Sequence, residues 1–238
     1  MKKKFMQSKD GKITYYYDEK ALYAKIGKEE MKLEIFDGHY HKLKLYNNVP
    51  VLEIDGLRMQ LIKDFKSPLD YAKQVVKALN IPKKSKPVIL DSCMGLGYTA
   101  IEASKTADTV ITCEVSDAVI HLAQWNPLSD KLFANENIVV MKGSVAELIK
   151  DFEKQMFDFV IHDPPRFSHA PELYSKDFYK QLFRVCKKGG KIFHYVGSVG
   201  AKKGRNISKE VEKRLKEAGF MNIKYHKLLQ GLTAEKSV

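Results

Sequence analysis

Three carboxylates at the ends of apolar runs could do chemistry together: Asp91 after Val88-Ile89-Leu90, Glu114 after Val110-Ile111-Thr112-Cys113, and Asp163 after Val160-Ile161-His162. Between the first two lies Cys93-Met94-Gly95-Leu96-Gly97, followed by the helix-forming run Tyr98-Thr99-Ala100-Ile101-Glu102-Ala103. A strand, a glycine turn and a helix in that order build a nucleotide site in an α/β sheet. Glycine lets the backbone press against a ligand where a Cβ would stand in the way. Two glycines alone are weak evidence, since any tight strand-to-helix turn needs them. Glu114, 23 residues after Asp91, stands near the spacing of an acid that binds ribose hydroxyls. Taken alone, it could equally be a surface carboxylate at a strand end.

The second cluster is His162-Asp163-Pro164-Pro165. Two prolines after an acidic strand end fix the backbone and remove its N–H groups, leaving carbonyl oxygens to face a site. A carboxylate beside rigid carbonyls can only accept hydrogen bonds. That suits an amino group on an aromatic ring or an amide, whose lone pair is delocalised; gripping its N–H bonds turns the nitrogen toward sp³ and aims the lone pair at an electrophile. The same three residues can also serve only to end a strand. His162 could shape the pocket, accept a proton, or simply fill the core. Arg166 could meet a phosphate and Phe167 could stack on a base, or Phe167 could anchor the loop. His194 and Tyr195, ending a later apolar run, share that rim and that ambiguity.

The type of cofactor follows from the glycine loop. Counting back from Gly97, Cys93 stands where a dinucleotide fingerprint has its first glycine, with Asp91 ahead of it. An acid there resembles class I S-adenosylmethionine methyltransferases, and the resemblance implies that Asp91 holds the methionine end of that cofactor through its ammonium or an ordered water. This donor has no pyrophosphate, so the usual anion-cradling glycines are not required. Cys93, Met94, Gly95, Gly97 and Glu114 complete the expected cofactor set.

These residues need a scaffold that brings strand ends together. Strands are predicted at 88–91, 109–114, 138–141, 157–162, 190–196 and 221–229, with helices at 98–105, 117–125, 144–152, 176–187 and 208–218. Alternating elements imply a mainly parallel, doubly wound sheet covered on both faces. Ser67-Pro68-Leu69-Asp70 opens a helix with a Ser cap and a Pro at its first position; Ala72, Val75, Val76 and Leu79 form its apolar stripe. Residues 1–66 differ. Lys12–Tyr17, Met31–Phe36 and Tyr40–Tyr46 read as strands, with hairpin turns at Asp37-Gly38 and Asp55-Gly56. The expected organisation is a small β-rich module at 1–66, a possible RNA contact, and a Rossmann-like α/β domain at 67–238.

Composition narrows the partners. No apolar run is long enough to span a bilayer. Cys93, Cys113 and Cys186 are too scattered for a disulfide framework or a zinc site. The expectation is a cytoplasmic protein that binds no metal and no membrane. The formal net charge is +12, and residues 201–227 carry nine basic side chains, including Lys202, Lys203 and Arg205, against Glu210, Glu212 and Glu217. A polyanion such as RNA is the favoured partner; a solvated helix face is the alternative.

The chain resembles the archaeal class I methyltransferases that make N4,N4-dimethylcytidine in small-subunit ribosomal RNA. The resemblance is carried by Val51–Met59, Leu90–Ala100, His162–Ser168, Glu172-Leu173-Tyr174-Ser175 and Phe193-His194-Tyr195-Val196-Gly197. It implies a Rossmann-like catalytic domain, S-adenosylmethionine as donor, cytidine N4 as acceptor, and small-subunit rRNA or its particle as partner. There are departures. Many relatives have Gly-Asp-Ala, with the Asp near the adenine amino group, where this chain has Gly143-Ser144-Val145; Ser144 can still accept a hydrogen bond, so adenine recognition is weakened or moved to a backbone group. Arg166 stands where an aromatic commonly follows Pro-Pro. Other classes stay open. They are a methyltransferase for another RNA base, a protein amide or a small molecule; an aminopropyltransferase, though its paired-acid motif is not seen; and a non-catalytic RNA-binding assembly factor.

Overall fold

The computed structural model describes residues 1–82, 85–197 and 207–237. The N-terminal strands are β1 (Lys3–Gln7), β2 (Ile13–Tyr17), β3 (Leu22–Ile26), β4 (Glu29–Lys32), β5 (Glu34–Phe36), β6 (Tyr40–Tyr46), β7 (Val49–Ile54) and β8 (Leu57–Arg58). They form two antiparallel four-stranded sheets, β1–β4 and β5–β8. The run 31–36, expected as one strand, is divided at Leu33. Its N–H bonds Leu22 of the first sheet (2.8 Å) and its carbonyl accepts from Leu43 of the second (2.9 Å). The turn at Asp55-Gly56 is present, with both residues at positive φ (48° and 78°). Asn47-Asn48 makes an equivalent turn that was not expected (47° and 59°).

α1 (Pro68–Ala78) begins as its sequence dictates, with Ser67 Oγ accepting from the Asp70 N–H at 3.3 Å. The chain then alternates through β9 (Val88–Asp91), α2 (Tyr98–Ala103), β10 (Thr109–Glu114), α3 (Asp117–Trp125), α4 (Asp130–Ala134), β11 (Ile138–Lys142), α5 (Val145–Asp151), β12 (Phe157–His162), α6 (Lys176–Val185), β13 (Cys186–Tyr195), α7 (Ile207–Ala218), β14 (Phe220–His226) and β15 (Gly231–Lys236). The seven-stranded sheet has the order β11-β10-β9-β12-β13-β15-β14, with β15 antiparallel to both neighbours. The expected strand at 221–229 is β14, which ends at His226, and β15 beyond it was not anticipated. Its inward residues are Leu232, Ala234 and Lys236. Lys236 reads as a surface residue, yet its buried ammonium donates to the carbonyls of Phe183 and Cys186 at 2.6 and 2.8 Å.

Both faces of the central strands β9, β12 and β13 are buried, which explains their apolar runs. Ile89, Ile161 and Phe193 enter one core while Leu90, Val160 and Ile192 enter the other. The first core also takes in Tyr15, Leu22, Leu43 and Leu52. The N-terminal module therefore completes the main core, and the Tyr98 hydroxyl ties the two parts by donating to the Pro50 carbonyl at 2.8 Å. Among the described residues no helix is long and apolar enough to cross a membrane.

Candidate active site

The strand order reverses between β9 and β12, which is where open α/β sheets bind ligands. The pairing Ile161↔Asp91 sets the two strand ends level, and the Ser92 N–H bonds the Ile161 carbonyl at 2.9 Å. The glycine loop after β9 and the Asp-Pro-Pro segment after β12 therefore face one cavity of about 750 Å³, mouth included. It is lined by Cys93, Met94, Gly95, Glu114, Asp163, Pro164 and Pro165 together with Met59, Gln60, Tyr71, Tyr98 and Thr99. Among the described residues the charged lining residues are acids, with no Lys, Arg or His. In a chain of net charge +12, such a cavity selects a cationic ligand, and a sulfonium with an ammonium fits it.

Glu114 does two jobs. One oxygen accepts the Gly95 N–H (3.0 Å) and the other accepts those of Val115 and Ser116 (3.0 Å each), clipping the glycine loop to β10. Burial pushes its pKa up against these bonds. A carboxylate has about four acceptor positions, so one remains for a ribose hydroxyl. Glu114→Ala is expected to weaken S-adenosylmethionine binding by roughly 1.5–3 kcal/mol. Calorimetric titration of the folded variant checks this, and unchanged affinity would remove Glu114 from the cofactor.

Several of the expected site residues lie away from the cavity lining. Asp91 is fully buried and lies outside the cavity lining. Its oxygens accept from Thr99 Oγ1 (3.0 Å) and Thr112 Oγ1 (2.6 Å), and burial raises its pKa to about 7. It supports the loop from beneath. Gly97 is held against Leu132 rather than the cavity. Ser144 precedes α5 as its cap residue and is not part of the lining. His162 is buried with both nitrogens engaged, by Ser92 Oγ (2.6 Å) and the Leu173 carbonyl (3.1 Å); burial lowers its pKa to about 3, so it remains neutral. His194 is likewise buried, bonded to Tyr179 Oη (2.8 Å) and the Tyr195 carbonyl (2.7 Å). The two rings pack edge to face at 4.4 Å. They buttress the site and are not on its rim. Phe167 is exposed and packs its ring on Tyr174 at 5.6 Å, lining neither cavity nor cleft.

Of the two proline carbonyls, that of Pro165 accepts from Tyr174 Oη at 2.9 Å. No donor among the described residues reaches the carbonyl of Pro164. Asp163 and Pro164 both line the cavity, where the Asp163 carboxylate joins the position still open on Glu114. Arg166 and Tyr195 line a neighbouring cleft of about 1590 Å³, mouth included, which shares Met59, Gln60, Pro164 and Pro165 with the cavity. Lys202, Lys203 and Arg205 lie outside the described residues. Part of the remaining basic cluster is paired within and around α7: Arg214 with Glu210, Lys216 with Glu212, and Glu217 with Lys176. Those pairs behave as a solvated face.

Sequence reasoning missed Tyr71. It lies one residue before the apolar stripe of α1 and four before Val75, so its spacing signalled core. The residue is buried and lines the cavity, and its buried hydroxyl has no hydrogen-bond partner among the described residues. The hydroxyl lies close enough to Asp163 to favour the ionised carboxylate but closes no bond of normal geometry. A buried orphan of this kind awaits a partner. Tyr71→Phe should therefore move the acidic limb of the pH–rate profile upward, because it removes a group that opposes the effect of burial on Asp163. A limb that stays in place would show the phenol is only packing.

Comparison with known proteins agrees with this geometry. Residues 89–190 match a methyltransferase domain family. The Thermotoga maritima spermidine synthase superposes with a TM-score of 0.70 at 17% identity, covering 98% of this chain and 79% of its own. A Methanococcus maripaludis protein provisionally assigned as an S-adenosylmethionine-dependent methyltransferase gives 0.52 at 18% identity, covering 72% and 86%. The fold is Rossmann-like, and the methyltransferase domain within it implies S-adenosylmethionine as cofactor. More particularly, the chain belongs to the family of the uncharacterized protein MJ1233 of Methanocaldococcus jannaschii, which is 40% identical over 98% of this chain and 82% of that protein.

Proposed function

We propose that this enzyme methylates the exocyclic N4 amine of a cytidine in ribosomal RNA of the small subunit. The observation that carries the reading is that Asp163 lines the acidic cavity while Pro164, whose carbonyl has no donor among the described residues, lines both that cavity and the outer cleft. S-adenosylmethionine, when bound, supplies an electrophilic methyl group. Glu114 would hold its ribose, while Cys93, Met94 and Gly95 would follow its length. Asp163 and Pro164 take the two amine hydrogens and keep the nitrogen lone pair free. As positive charge develops on that nitrogen, the ionised Asp163 stabilises it. The base must leave its stack to reach this depth. His162 has both nitrogens occupied, so the proton leaves by another route, through Asp163 or water.

A small-amine acceptor is the competing reading, since a spermidine synthase shares the fold. The outer cleft disfavours it: Lys44, Arg58, Lys63 and Arg166 face a single carboxylate, Glu53, and would repel a polyamine. Nucleoside mass spectrometry of RNA from cells with and without the protein decides between them. The expected result is loss of N4-methylated cytidine. Methyl lost from carbon 5, a ribose or a guanine would overturn the cytidine assignment, and an unchanged RNA profile would overturn RNA as acceptor.

A further inference from the structure

We infer that the cleft between the N-terminal sheet and the Asp-Pro-Pro rim is a phosphodiester track for single-stranded RNA flanking the reacting base. The inference rests on the reading that RNA is the acceptor, and it assigns the N-terminal module a role in holding it.

The cleft is continuous with the methyl-transfer cavity through Met59, Gln60, Pro164 and Pro165. A strand lying in it would place one nucleotide over Asp163. Cations come from both walls: Lys44 and Arg58 from the β5–β8 sheet, Lys63 from the segment after it, and Arg166 from the catalytic rim. Arg58, Lys63 and Arg166 are exposed, and none has a carboxylate partner among the described residues. The one acid of the cleft, Glu53, is already shared by Lys42 (2.8 Å) and Lys44 (3.6 Å), so its charge is matched. Arg58 lies over the Tyr46 ring at 5.7 Å. A guanidinium held on an aromatic face keeps its edge free for a phosphate, and the exposed part of such a pair offers a plane for a base.

The inner cavity repels phosphate and the outer cleft attracts it. The sign of charge changes across Pro164-Pro165, so the backbone of the RNA is kept outside while a neutral base is admitted. Neither a uniform basic surface nor a small-molecule pocket requires that reversal.

The test uses the full chain, a labelled oligocytidylate RNA, and salt titrations between about 50 and 200 mM. Arg58→Ala with Lys63→Ala is expected to weaken RNA binding about tenfold and to reduce the salt slope by about 1.4, two phosphate contacts at roughly 0.7 each. Affinity for S-adenosylmethionine should be unchanged. The control is Lys73→Ala with Lys77→Ala, which removes two exposed lysines of α1 outside the cleft. An equal loss in the control would overturn the track and leave only net charge. So would full RNA affinity in the cleft variant, or equal competition by polyglutamate. Because binding is read separately from product, methyl found on another nucleoside would sink the cytidine assignment and leave the track standing.

Discussion

Asp163→Ala is expected to lose turnover by about 10²–10³-fold while cofactor affinity stays unchanged. In the proposed mechanism the carboxylate contacts the amine, and its charge matters most once positive charge grows on the nitrogen. The contact is therefore stronger in the transition state than in the ground state, and its loss falls on kcat. Asp163→Asn should be impaired too, because the amide keeps an acceptor and drops the charge. The pH dependence follows from burial, which raises the Asp163 carboxyl to about 7. The working form is the carboxylate, so activity is present above that value and is lost as pH falls through it. Asp91 and Glu114 are the nearby acids, and Tyr71, Tyr174, Tyr195 and Cys93 surround them. The cationic cofactor opposes the crowding of these acids, so the limb in cofactor-saturated kcat should lie below the limb in kcat/KM for free enzyme. Single-turnover assays across pH, beside calorimetry of cofactor binding, check both points. Full activity in folded Asp163→Ala would remove the mechanism.

The second large effect concerns stability. Gly97→Ala is expected to cost about 2–5 kcal/mol, from a left-handed backbone of roughly 1–2 kcal/mol and an overpacked core of roughly 1–3 kcal/mol. Gly97 has φ +75°, and a Cβ there would lie 2.5 Å from Leu132 Cδ2, with two more Leu132 carbons within 2.9 Å. Leu132 is fully buried and cannot swing into solvent. On a protein of this size the loss should lower the melting temperature on the order of 10 °C. Gly95→Ala makes a useful contrast. Its backbone is also left-handed (φ +53°), but its nearest neighbour is Gln60 Nε2 at 3.8 Å. It should be milder for folding and should act on cofactor binding, because Gly95 lines the cavity. Calorimetric melting of both variants distinguishes the two glycines. Equal melting temperatures would show that contact with Leu132 does not decide their difference.

The α/β alternation, the strand ends at Asp91, Glu114 and Asp163, the cap at Ser67 and the glycine turn were all legible in the chain. Each is a local matter of apolar run length, turn chemistry or backbone permission, and such signals survive in a linear reading. Glu114 and Asp163 share one cavity because parallel strands place their carboxyl ends on one edge. What escaped is what only neighbours far along the chain decide. Asp91 carries the same charge as Glu114, yet two threonines from α2 and β10 turn it into internal support. His162 and His194 sit at strand ends, but Ser92, Leu173 and Tyr179 absorb their nitrogens and take them out of the chemistry. Tyr71 reads as core, and packing of α1 over the cavity makes its hydroxyl a neighbour of Asp163. Lys236 reads as surface and is a buried donor to two carbonyls. A sequence determines which groups a strand end offers; burial and hydrogen-bond partners, which exist only after distant segments meet, decide which of those groups remain free to react.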